Sequence, residues 1–187
     1  MSHLTEEAIR AEFIRLLNDR PLDKITVREI ADACGINRNT FYYHFSDIPT
    51  LVEELVKDEF DRIMQTSHGI QSLEECVEAA VRLTLEHRQA VWHIYNSANR
   101  DIYVRYLMDI CNHVVSVFVD KAIAGRPVSE ADREIIIQGY SCECFGFITD
   151  WLSRGMCFDL KARLLRLCAL RRGMTEEMLH RSLGGEV

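Results

Sequence analysis

Residues 26–45 read TVREIADACGINRNTFYYHF, and the fold turns on how that stretch is parsed. Thr26 followed three residues later by Glu29 has the form of a helix N-terminal capping box, in which each side chain satisfies the other residue's backbone N–H. The short helix that follows puts Val27, Ile30, Ala31 and Cys34 on one face. Gly35 ends it, because glycine enters the left-handed conformation without the clash of a Cβ. Ala31, four residues earlier, is small enough for a second helix to approach. Asn37 is placed to cap that second helix, Arg38 to Phe45. A short helix, a tight turn with glycine and another short helix form a helix-turn-helix.

The second of these helices has a direction. At about 100° per residue, Phe41 and Phe45 share one side and would anchor it in a core. Asn39 and Tyr43 then point nearly opposite, with Thr40 beside them, towards what would be the floor of a DNA major groove. Tyr42 and His44 project about 100° to either side, suiting them to the phosphates of the groove walls. Arg38 stands at the N-terminal end, from which a long side chain reaches base edges. The same geometry also serves purely structural roles. Here the density of outward polar groups on so short a helix favours DNA.

The segment KITVREIADACGINRNTFYYHF closely resembles the DNA-binding domain of the TetR family of one-component regulators. The resemblance spans about residues 5–56, and the Thr-Phe-Tyr-Tyr-His-Phe run is its most specific part. It implies that Thr26, Arg28, Arg38, Asn39, Thr40, Tyr42, Tyr43 and His44 contact double-stranded DNA at a pseudo-palindromic operator. It also implies a homodimer, repression rather than activation, and a possible small-molecule inducer. Family members commonly carry a lysine soon after the His-Phe pair. This chain has Ser46-Asp47-Ile48-Pro49-Thr50 instead, leaving Thr50 or a helix N-terminus to take that phosphate.

Outward from this segment, the chain reads as helical throughout, without alternating strand patterns. A first helix is expected from Thr5, as N-cap, to Asn18, with Ile9, Phe13, Leu16 and Leu17 as its apolar stripe. Arg20-Pro-Leu-Asp-Lys makes a turn. Ser46 or Asp47 caps a fourth helix reaching about Thr66, with Pro49 in its first turn, where a missing N–H costs nothing. Further helices are expected at about 72–87, 89–98, 101–124, 129–154, 159–172 and 175–183, broken at Gly125-Arg-Pro127, Gly155 and Gly173. The expected class is all-α: a three-helix DNA-binding domain over 1–46 and a helical dimerisation and ligand-binding domain over 47–187.

The 129–154 segment is apolar almost all round, through Ile135, Ile136, Ile137, Tyr140, Phe145, Phe147, Ile148, Trp151 and Leu152. A helix with no polar face needs cover on every side, and a partner chain is the expected cover. Gly139, Cys142 and Gly146 make a smooth stripe on it, and with Trp151 they are the expected dimer interface; a monomer with this as an internal core helix is the alternative. A ligand cavity is drawn from Trp92, His93, Tyr95, Tyr103, Tyr106, Met108, Cys111, His113, Phe118, Tyr140 and Phe147, although aromatics at helical spacing more often build core. His93 and His113 are expected to be satisfied polar groups rather than metal ligands.

Composition limits the remaining functions. The chain has 187 residues, 48% hydrophobic and 27% charged, as ordinary folded proteins have. Net charge is −7, so any DNA affinity must come from a small, well-aimed surface. Residues 1–47 hold six Lys or Arg against eight Asp or Glu, while Lys24 to Phe45 has three against two. The start, MSHLTEEAIR, lacks a secretion signal, and Glu143 interrupts the most apolar run, so a cytoplasmic protein without membrane contact is expected. The seven cysteines, among them Cys34, Cys76, Cys157 and Cys168, form no C-x-x-C pair and read as buried free thiols. Cys142 and Cys144, about 200° apart on a helix, make a poor chelate. No phosphate loop or nucleophile elbow is present, and Glu177 with His180 is a lone E-x-x-H where a di-iron bundle needs two. No enzyme, metal or cofactor is expected. A helical adaptor that has lost DNA binding is the alternative to a regulator.

Overall fold

The computed structural model describes residues 2–66, 75, 81, 82 and 85–184. Among them are nine α-helices, one 3-10 turn and no strand. In order they are α1 (Ser2–Asp19), the 3-10 turn Leu22–Lys24, α2 (Val27–Ala33), α3 (Arg38–His44), α4 (Ile48–Thr66), α5 (Arg88–Tyr95), α6 (Arg100–Ile123), α7 (Glu130–Ser153), α8 (Leu160–Leu170) and α9 (Met174–Gly184). Most of the expected helix over 72–87, and Cys76, lie outside the described residues. The chain forms two compact units, Met1–Asp61 with Thr84–Tyr106, and Arg62–Leu83 with Leu107–Val187.

In the first unit, α1 begins three residues before the expected N-cap. Thr5 is therefore a residue of the first turns and not a cap. The cause is a pair of i,i+4 contacts, His3 with Glu7 at 3.2 Å and Glu6 with Arg10 at 3.0 Å, which support the extra turn. Ile9, Phe13, Leu16 and Leu17 form a buried stripe, joined by Leu22, Ile25, Ile30, Phe41, Phe45, Leu51 and Val52. Ala90 and Ile94 of α5 belong to the same core, which is why this unit extends well beyond residue 46. Arg10 ties α1 to α4 through Glu54 Oε2 at 2.5 Å and Asp58 Oδ2 at 2.6 Å. Its guanidinium also lies 5.3 Å from the centre of the Phe45 ring.

In the second unit, Val115 and Val119 of α6 pack with Ile136 and Tyr140 of α7 and Leu179 of α9. Ser129 caps α7 by accepting from Asp132 N–H, and Asp159 caps α8 by accepting from Ala162 N–H at 2.9 Å. Arg133 of α7 reaches Asp120 of α6 at 2.7 Å, and the Tyr140 hydroxyl lies 2.7 Å from Thr175 Oγ1. Among the described residues, α6 is the helix long and apolar enough to cross a membrane by length and mean hydropathy alone, rather than the segment around Glu143. Its apolar side, Leu107, Cys111, Val114, Val115 and Val119, is buried within this unit.

Candidate nucleic-acid interface

The turn between α2 and α3 is built by local chemistry. Thr26 caps α2 with both halves of a capping box in place: Glu29 N–H donates to Thr26 Oγ1, and Thr26 N–H donates to Glu29 Oε2 at 3.0 Å. Gly35 follows with φ +65°, and an added Cβ there would meet nothing within 4 Å. Glycine is required by backbone conformation and not by space. Asn37 Oδ1 then accepts from Thr40 N–H at 2.8 Å and so starts α3.

From that start the helical period fixes what faces outward. Phe41 is 0% exposed and Phe45 1%. On the opposite side Tyr43 is 79% exposed and Tyr42 53%, and Arg38 and Asn39 are exposed with them. Thr40 is half-buried, and its hydroxyl donates to Asn37 Oδ1 at 3.1 Å, so its oxygen belongs first to the cap. Arg28 is exposed on α2, with Asp32 3.5 Å away in a weak surface pair. Thr26 is exposed, yet its hydroxyl donates to Glu29 at 2.9 Å, and these bonds hold the Glu29 carboxyl below its ordinary range. A phosphate at Thr26 therefore competes with a carboxylate already seated there.

His44 departs from the expected arrangement. Its side chain is 6% exposed, with Nδ1 3.9 Å from Glu6 Oε2 on α1, so it does not stand out on the wall side as Tyr42 does. The carboxylate of Glu6 has its other oxygen on Arg10, and the two residues of α1 close over the end of α3. The start of α4 is capped by Asp47 rather than Ser46: Asp47 Oδ1 accepts from Thr50 N–H at 2.7 Å, which holds its carboxyl below the usual pKa range. The Thr50 hydroxyl lies 2.7 Å from Ser46 Oγ, so it too is occupied.

The candidate cavity residues divide between the two units. Trp92, His93, Tyr95, Tyr103 and Tyr106 fall in the first unit, and Met108, Cys111, His113, Phe118, Tyr140 and Phe147 in the second. Several have core roles. Tyr95 is 3% exposed beneath Arg100, whose Nη2 donates to its hydroxyl at 2.6 Å. His93 Nδ1 is bonded to Leu17 O, as a satisfied polar group would be. Tyr140 is buried edge-on to Phe118. A shallow groove of about 360 Å³ runs between α6 and α7, lined by Asn112, His113, Ser116, Arg133, Glu134, Ile137 and Gln138; of these His113 was among the cavity candidates, while the other polar positions were not.

Along α7, Gly139, Cys142 and Gly146 are all exposed, and Ile135 beside them is 64% exposed. Trp151, expected on the same face, is instead 2% exposed inside the protomer, where its Nε1–H donates to Phe158 O at 2.8 Å. Residue 151 lies well round the helix from the glycine stripe, so the correction follows from the helical period itself.

Comparison with known proteins agrees with this geometry. Residues 9–55 match the family model described as "Bacterial regulatory proteins, tetR family", and residues 71–172 match "Transcriptional regulator C-terminal region". The uncharacterized HTH-type transcriptional regulator YvdT of Bacillus subtilis (strain 168) is 25% identical over 135 residues, 66% of this chain and 70% of that protein. The HTH-type transcriptional repressor BepR of Brucella suis biovar 1 (strain 1330) is 24% identical over 176 residues, 83% of this chain and 84% of that one. Among solved structures, the dihydroxyacetone kinase operon activator DhaS shares the fold at a TM-score of 0.69 and 13% identity, over 96% of this chain and 94% of that chain. With one model on the helix-turn-helix and another on more than half its length, the chain belongs to the TetR family, and it is a DNA-binding regulator of transcription.

Proposed function

We infer that this regulator is a homodimeric repressor whose two α3 helices enter successive major grooves of a pseudo-palindromic operator. The observation that carries the reading is the exposed face of Arg38, Asn39, Tyr42 and Tyr43 on a helix pinned through two fully buried phenylalanines. Residues 1–46 supply DNA contact, and residues 47–187 supply dimerisation and ligand sensing, in a cytoplasmic protein. Arg28 contributes a phosphate contact, and Thr26, Thr40 and His44 contribute after local rearrangement of the bonds they now make. A small molecule bound in the second part shifts the dimer towards a spacing that no longer fits both grooves, and DNA is released. Operator affinity measured with and without a ligand shown to bind tests that step. Unchanged affinity would defeat it.

Two substitutions separate the roles of α3. Tyr42→Phe removes one hydroxyl from a wall position and should weaken binding about equally on all sequences. Asn39→Ala should cost about 1–3 kcal/mol of discrimination at one base pair and change the preferred sequence. Gel-shift titration on a panel of single-base operator variants reads both, and parent-like behaviour of the pair would count against the assignment.

The dimer face is the stripe Gly139, Cys142 and Gly146. Cys142 and Cys157 are both exposed in the protomer. In the dimer Cys142 is covered and Cys157 stays open. A thiol reagent near neutral pH should therefore label Cys157 quickly and Cys142 slowly. Burial pushes the Cys111 thiol up to about 12 and Cys144 to about 11, so both stay protonated and lag behind. Equally fast labelling of Cys142 and Cys157 at concentrations where the dimer persists would exclude this interface.

A further inference from the structure

The carbonyl of Leu17 lies in the last turn of α1, where its helical partner would be the N–H four residues further on. That residue is Pro21, which has no N–H to give. Leu17 is 1% exposed, so water does not readily replace the missing donor. His93 of α5 fills the gap, with Nδ1 2.6 Å from Leu17 O. A carbonyl oxygen only accepts, so Nδ1 carries the proton and donates it.

The position of α5 gives the bond its significance. Residues 84–106 belong to the compact unit that carries the helix-turn-helix, although in sequence they lie within the C-terminal region match at 71–172. Ala90 and Ile94 of α5 share one core with Phe13 and Leu17 of α1, and with Phe41 and Phe45, the anchors of α3. α1 is thus joined to α5 near its end, through Leu17, and to the recognition helix nearer its start, where Glu6 lies 3.9 Å from His44 and Arg10 lies over the Phe45 ring, with one core running between them.

We propose that His93 is a positioning residue that clamps α5 onto the end of α1 and thereby sustains operator affinity. The proposal rests on the reading of α3 as the operator-contacting helix, and it requires no ligand. The clamp holds the packing of α1, in whose core the anchors of α3 are buried, in one arrangement; without it the helices keep their fold but lose a fixed relation.

The test uses the purified chain with His93→Asn, His93→Gln and His93→Leu, an operator selected from random duplex DNA, and hydrogen exchange of the α5 amides. An asparagine amide nitrogen takes the place of Nδ1, whereas that of glutamine reaches the place of Nε2. The asparagine variant should stay within about twofold of the parent in operator affinity. The glutamine and leucine variants should fall about tenfold, the loss expected when a buried carbonyl is left unmet, with faster exchange over 90–96. Space-filling alone would not rank asparagine above glutamine. Four equal affinities, or glutamine matching asparagine, would overturn the proposal; if the leucine variant does not fold, the amide pair still decides. A parent that selects no duplex refutes the reading of α3 and with it the affinity effect, while exchange protected by asparagine but not by glutamine still establishes the clamp itself.

Discussion

Phe41→Ala should destabilise the first unit by about 3–5 kcal/mol, the cost of removing a fully buried aromatic ring and leaving a cavity. Phe41 is 0% exposed, packs 5.8 Å from the Phe45 ring centre and meets Tyr42 edge-on at 5.7 Å. It is the side chain by which α3 is held, and α3 has only seven residues. So short a helix has no stability of its own in water. Losing this ring should therefore melt α3 before the rest of the unit and abolish specific DNA binding. Thermal denaturation with near-ultraviolet circular dichroism, beside a gel shift, measures both. A variant with parent-like melting and parent-like binding would show that α3 is held by something else.

The second large effect concerns Gly146. A Cβ added at Gly139 or Gly146 would meet nothing within 4 Å in the protomer. Gly146→Arg should therefore fold, and the exchange of glycine for arginine within a helix should even favour the helix slightly. In the proposed dimer the same side chain would stand where a partner helix must approach closely. Sedimentation should show a monomer. Operator affinity should drop on the order of a hundredfold or more, because two linked half-site contacts become one. A folded Gly146→Arg protein that remains dimeric would move the interface away from this stripe.

The helix-turn-helix was legible because its signals are local. Thr26 with Glu29, Gly35, and Asn37 with Thr40 each act within a few residues, and the burial of Phe41 and Phe45 follows from the period of the helix. What the sequence left hidden depends on distant partners. His44 was expected on the wall side by its angle alone, but its side chain is largely buried beside Glu6 of α1. Trp151 sits on a helix apolar all round, where periodicity names no face and tertiary packing chooses one. The link of His93 to Leu17 was beyond reach for the same reason, though Pro21 held a clue in the donor it lacks. The start of α1 differed because Thr5 serves in a helix interior as readily as at a cap when flanking pairs favour another turn.

One feature of the α2–α3 surface shapes how the protein finds its site. Its outward tips are mostly neutral amides and hydroxyls, with Arg28 and Arg38 as the Lys or Arg residues of these two helices, on a chain of net charge −7. Grip on arbitrary chromosome scales with the number of counterions set free, and so few cations free few ions. The regulator is therefore expected to let go of wrong sequences quickly and to travel by repeated collision rather than by long slides, its residence time concentrated where hydrogen bonds, and not charge, hold it.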